Sequence, residues 1–156
     1  MMNKITDTQN TRTTTLVFDS KEILKYVYVQ NALHTLGSAT EEKHPYLFTA
    51  DNAALLETIL KNGYFNISAK LLGYIAGYDF DAIDSGFFTL EIILPRAHDA
   101  AKTPLLHRKI EYALATYVLK EIYDTENGSK ELAALITRED RKAVNDVMAF
   151  FALTCE

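Results

Sequence analysis

The chain has a single cysteine in 156 residues and no tryptophan. One cysteine excludes an internal disulfide, so no cross-link holds the fold. Cys155 stands beside the chain end and reads as a frayed, exposed thiol rather than a nucleophile. No apolar run approaches the roughly 20 residues that cross a bilayer, so no membrane partner is expected. The first residues, MMNKITDTQNTRTTT, are polar and lack the apolar core of a secretory signal. Cytoplasmic residence is the default expectation.

A surplus of positive charge is also missing. The net charge is −5, and affinity for phosphate backbones needs a basic face, so nucleic acid is not an expected partner. Catalytic signatures are lacking as well. The sequence contains no G-x-S-x-G elbow, no Walker loop, no G-x-G-x-x-G and no HExxH. Asp79, Asp81 and Asp84 faintly resemble a calcium loop, but Ile83, Asp84 and Leu90 occupy the places where that loop needs an oxygen ligand, glycine and glutamate. They read as a solvated turn. No cofactor, metal or enzymatic activity is expected.

What the chain does have is a long apolar helix. TPLLHRKIEYALATYVLKEIYD, 103–124, places Leu106, Ile110, Ala113, Leu114, Tyr117, Val118 and Ile122 on one broad face. Thr103 is placed to cap it, with Pro104 at the first helical position. Leu105, Tyr112, Leu119 and Tyr123 add apolar bulk on its flanks, so it should be covered on most sides and form the centre of the fold.

Around this helix the expected order begins with a polar arm, 1–12, too poor in apolar surface to offset its ordering entropy. A globular domain over 13–156 follows. TTTLVF, 13–18, reads as a strand. Asp19 and Glu22 then resemble a capping box for a helix from Ser20 to Leu36, stopped at Gly37. Within it, Ile23–Val29 is rich in strand formers and its apolar stripe drifts around the helix. A hairpin turning at 19–22 is the competing reading, and the helix is favoured.

After a loop over 38–46, one helix is expected from Ala50 to Asn62, ending at Gly63. A second, capped by Asn66, is expected from Ile67 to Gly77, and the two would form an αα-hairpin. Gly73 and Gly77 would then mark close helix approach. Phe87–Leu94 reads as a strand or a helix, with the strand favoured. Beyond the central helix, Ser129 caps a short helix over 130–136, and Thr137 caps another to about Leu153. The sum is a mainly α, single-domain bundle of about five or six helices, with one or two short strands at 13–18 and 87–94.

Three features bear on function. His107 and Glu111 are spaced as an i,i+4 pair. His107, Arg108 and Lys109 lie near the start of the central helix, against the macrodipole. Well-solvated helix sides with a small penalty are the favoured reading, and a carboxylate from elsewhere in the fold or from a neighbouring subunit facing Arg108 and Lys109 is the alternative. Tyr74, Tyr78, Phe80, Phe87 and Phe88 cluster in sequence around one loop. Burial in the core is the favoured reading, and an exposed cluster would be a docking site, since tyrosines suit interfaces. The candidate contacts with a protein partner are Arg108, Lys109, Tyr78, Phe80 and Phe87. The leading expectation is a non-enzymatic structural or interaction subunit of a homo-oligomer or larger assembly, such as a component of a phage-like particle. The alternative is a helical small-molecule-binding or regulatory module with a pocket lined by Tyr112, Tyr117 and Tyr123.

Overall fold

The computed structural model describes residues 11–37, 52–79, 86–124 and 130–154. The elements are β1 (Thr11–Asp19), α1 (Ser20–Gly37), α2 (Ala53–Lys70), β2 (Ile75–Asp79), β3 (Phe87–Pro95), α3 (Thr103–Tyr123) and α4 (Lys130–Thr154). The expectations for 1–10, for the 38–46 loop, for a helix start at Ala50, for Phe80, Asp81 and Asp84, for the Ser129 cap and for Cys155 lie outside the described residues. The protein is mainly helical, with four α-helices and a small antiparallel sheet among those residues. This is fewer helices and more strand than the sequence suggests.

The strands run in the order β1-β3-β2, and both pairings are antiparallel. Leu16 stands opposite Leu90, and Phe18 opposite Phe88. With a side-chain period of two, one face of the sheet carries Leu16, Phe18, Phe88, Leu90, Ile92 and Leu94, all buried. The other face exposes Thr13, Thr15, Val17 and Glu91. β1 begins at Thr11, so Thr11 and Arg12 belong to the sheet rather than to an arm. The Arg12 guanidinium donates to the His98 carbonyl at 3.0 Å, which ties the strand to the loop before α3.

α3 is the centre, as its sequence implies. Leu106, Ile110, Ala113, Leu114, Ala115, Thr116, Val118, Leu119, Ile122 and Tyr123 are buried around most of its circumference. α1, α2 and α4 all pack against it. The helix starts one residue earlier than a Thr103 cap would set. Lys102 is the N-cap, without a side-chain bond, and Thr103 is the first helical residue. The Thr103 hydroxyl sits 3.4 Å from His98 Nε2 instead.

α1 is a helix and not a hairpin. Asp19 Oδ1 accepts the Lys21 N–H at 2.9 Å, which caps its first turn. The Ser20 N–H donates to Gly86 O at 2.8 Å, so the helix starts against the turn that begins β3. Gly86 itself has φ +90°, where a side chain would be strained. Two buried polar contacts then hold the helix. The Ser20 and Tyr64 hydroxyls lie 2.7 Å apart, and the Tyr123 hydroxyl donates to Asn31 Oδ1 at 2.6 Å. Burial pushes both tyrosine hydroxyls up to about 12, so both remain protonated and able to donate.

Two expected pairs of helices are single helices. α2 runs unbroken through Gly63, and no αα-hairpin forms there. A Cβ at Gly63 would stand 3.0 Å from Tyr117 Cδ1. The glycine therefore allows α2 to approach α3, and this packing offsets its helix cost of about 1 kcal/mol. Asn66 sits inside the helix, not at its start. Beyond Lys70 the chain turns through Leu72–Tyr74 and enters β2, so Gly77 lies in a strand and its missing Cβ leaves room for the Glu91 carboxylate. α4 likewise runs through Thr137, whose hydroxyl donates back to Ala133 O at 2.8 Å, as threonines inside helices do.

Candidate functional site: a groove between α1 and α3

α1 carries two apolar faces. Ile23, Leu24 and Val27 point inward and are buried. Tyr26, Val29 and Leu33, at i, i+3 and i+7, form a second stripe with 36%, 51% and 55% of their surface exposed. Among the described residues α2 also exposes Leu55 and Phe65. These are ten positions apart, about 15 Å along the axis, with exposed Thr58 and Asn62 between them. The α1 stripe is continuous by comparison.

Next to that stripe, α1 and the first half of α3 enclose an open groove of about 870 Å³. Its floor is Leu16 and Ile23, and its walls carry Tyr26 and Val29 on one side and Pro104 and Tyr112 on the other. The Tyr26 and Tyr112 rings meet edge to face with centroids 5.8 Å apart. Burial, and then the Glu139 carboxylate on α4, hold both hydroxyls above the ordinary tyrosine value, so they stay neutral. Charge is arranged in matched pairs along the walls. Glu22 and Lys25 lie three residues apart on α1, and Arg108 and Glu111 three apart on α3.

His107 sets one edge of the groove. Its ring stacks on Phe18 at 4.5 Å with planes 6° apart. Nε2 lies 2.7 Å from the Val17 carbonyl, and Nδ1 lies 2.8 Å from Glu111 Oε1. A carbonyl only accepts, so Nε2 carries a proton in this geometry. The contact covers part of the free edge of β1, where an exposed carbonyl would invite another strand.

The expected contact residues separate. Arg108 lines the groove, and Lys109 lies just beyond it. Both line a small cleft of about 180 Å³, and so does Asp146 of α4. Tyr78 and Phe87 are exposed on β2 and β3 and do not line the groove. The aromatic cluster suggested by the sequence is divided among several environments. Tyr74 stacks on Phe151 at 4.6 Å, and Phe88 is buried against Tyr64 at 4.3 Å. Phe87 stands opposite Asp19 on the outer face of the sheet. Of the tyrosines expected around a pocket, only Tyr112 reaches this one. Tyr123 is buried, and Tyr117 packs against Gly63.

The residues that sequence reasoning does not single out are Tyr26, Val29 and Leu33. Their signal was the apolar stripe that drifts around α1, which is what a helix with two apolar faces produces. Among the described residues, no group of three His, Cys, Asp or Glu side chains is gathered to hold a metal, and no helix is long and apolar enough to cross a membrane.

The fold defines a class, a mainly helical α+β protein whose helices cover one face of a three-stranded antiparallel sheet. Compared with known proteins, the chain matches no family model, no curated sequence and no solved structure.

Proposed function

We propose that the protein is a non-enzymatic interaction subunit that works in the cytoplasm and associates with a second copy of itself through the α1–α3 groove. The observation that carries this reading is the second apolar face of α1, with Tyr26, Val29 and Leu33 exposed beside the groove. Continuous exposed apolar surface marks interaction sites. The wall charges supply the register. A twofold interface brings the same patch of both copies together, so each acid must find a base on the partner. The Glu22–Lys25 and Arg108–Glu111 pairs meet that requirement.

Light scattering behind size exclusion, over a wide concentration range, tests the reading. The wild-type protein is expected to reach a dimer or a higher closed oligomer. The double variant Val29→Asp, Leu33→Asp is expected to remain a monomer with an unchanged circular dichroism spectrum. A wild-type monomer at the highest concentration would overturn the proposal.

A second reading has one observation in its favour. The groove lies within the 300–1,000 Å³ typical of small-molecule sites and combines an apolar floor with a few polar groups. A monomer whose melting temperature rises with an apolar carboxylate such as a medium-chain fatty acid, and no longer does so after Arg108→Gln, would favour that reading.

A further inference from the structure

A second cleft lies where α2, α3 and α4 meet. Lys70 comes from the last turn of α2, Lys120 from α3 and Arg141 from α4, and all three line one space of about 380 Å³. Lys70 has an ordinary reason to be there, since a cation suits a helix C-terminus. Lys120 stands likewise in the last turn of α3, whereas Arg141 lies in the middle of α4 and has no such reason. Among the described residues, none of the three cations has a carboxylate within ion-pair distance.

Asp140 belongs to the same cleft and is 8% exposed. Its Oδ1 lies 3.3 Å from the Thr116 hydroxyl, whose single proton is shared with the Ala113 carbonyl at 3.0 Å. Its Oδ2 has no partner among the described residues. Burial raises its pKa above the usual aspartate value, Lys120 and Lys70 pull it down, and Asp124 raises it. The cleft thus has an excess of positive charge around a carboxylate oxygen that can only accept.

That combination is selective. A fully deprotonated oxyanion such as sulfate satisfies the cations but turns lone pairs toward the Asp140 carboxylate. Hydrogen phosphate carries similar charge and still has one P–OH at neutral pH. We propose that the cleft binds inorganic hydrogen phosphate, with Lys70, Lys120 and Arg141 neutralising the anion and Asp140 accepting its remaining proton in a hydrogen bond. An O–H donor to a carboxylate is among the stronger hydrogen bonds available to a protein, and the planar guanidinium suits a tetrahedral oxyanion. The Thr137 hydroxyl has given its proton to Ala133 O, so the side-chain amide of Asn145 is the remaining neutral donor in the lining.

Isothermal titration calorimetry with sodium phosphate and sodium sulfate, at matched low ionic strength and pH 7.5, is the test. The wild-type protein is expected to bind phosphate at least about tenfold more tightly than sulfate, the scale of one hydrogen bond to a charged group. Asp140→Asn should bring the two affinities together, because the amide can donate to either anion. Lys120→Gln and Arg141→Gln should each weaken phosphate by about tenfold or more, while Lys25→Gln, in the other groove, should leave it unchanged. In the unsubstituted protein, amide shift changes on phosphate addition should map to 68–72, 116–120 and 137–145. Absence of phosphate binding at millimolar concentration, equal wild-type affinity for the two anions, or shift changes elsewhere would each overturn the proposal.

Discussion

α1 and α4 both pack on α3, yet they end the protein in different ways. The outward side of α4 is mostly charged or polar, with Glu131, Arg138, Arg141, Lys142, Asn145 and Asp146 exposed and Leu135 as its one exposed large apolar side chain among the described residues. Its inward side is a narrow seam of Ile136, Ala143, Val147, Phe150 and Phe151, with Asp140 in register. Such a helix closes a fold against water. α1 has an equally good inward side, but its outward side presents Tyr26, Val29 and Leu33. The contrast locates the open surface. A helix that is apolar on two faces has one layer beneath it and lacks a second, and the energetic driving force to cover it is the same burial that seats its inner face.

The largest effect that sharpens the comparison comes from treating the two faces of α1 separately. Ile23 is buried with 1% exposure. Ile23→Ala is expected to lower unfolding free energy by about 2–5 kcal/mol, through lost transfer energy and the cavity left behind. Val29→Ala should change it by no more than about 0.5 kcal/mol at dilute concentration, as surface substitutions do. Urea denaturation at low and high protein concentration makes the comparison complete. A second copy binding the outer face adds stability that grows with concentration, so the Val29→Ala cost should rise at high concentration while the Ile23→Ala cost stays large at both. If both substitutions cost the same at dilute concentration, the outer face of α1 is already covered within the monomer and the contrast with α4 fails.

Where the periodicity was simple the sequence was easy to read. The central helix, the first strand and α1 were each set by a local pattern: an apolar face at helical spacing, a β-branched run, an aspartate before a helix. Phe87–Leu94 is short and rich in strand formers, and its length and composition favour the strand that β3 forms. Punctuation was the weak point. Gly63 and Thr137 carry the chemistry of helix ends but sit inside helices, because tertiary contacts decide their roles. Gly63 is required by the ring of Tyr117, 54 positions later, and no local window contains that information. β2 was unreadable for the same reason. IAGYD has little strand propensity, and its pairing with β3 provides the hydrogen bonds that fix it. The candidate groove was half legible: Arg108 was singled out, whereas the α1 stripe registered only as an irregular periodicity.

The attachment of α1 gives the next effect in size. Its inward seat depends on polar anchors as well as apolar packing, and one of them is the Tyr123–Asn31 bond of 2.6 Å between two buried residues. Tyr123→Phe keeps the ring and removes that donor. The expected loss is about 1–3 kcal/mol, the cost of withdrawing a partner from a buried polar atom. Hydrogen exchange should accelerate in the part of α1 around Asn31 more than in α4. Equal acceleration in both helices would show that α1 is no more weakly held than α4.

The smallest effect belongs to α4 and concerns the one acid in its buried seam. Burial is the main cause that raises the Asp140 pKa, so the folded state holds this proton more tightly than the unfolded chain, where aspartate titrates near 3.9. The sign follows from linkage. Between the unfolded value and the raised folded value the native state binds more protons, so this group's contribution to stability is full below the unfolded value and is lost as pH rises through the folded one. Most surface carboxylates that gain a cation behave in the opposite way, so the total pH profile mixes the two. The difference between the wild type and Asp140→Asn isolates the one site. The wild type is expected to lose stability relative to the variant as pH rises from about 4, and Asp140→Asn is expected to be the more stable protein at neutral pH in phosphate-free buffer. Urea midpoints measured across that range provide the check. If the difference ran the other way, with Asp140→Asn less stable at neutral pH, the attraction of Lys120 and Lys70 would outweigh desolvation. The α4 seam would then gain from its charge, where the α1 seam relies on neutral partners alone.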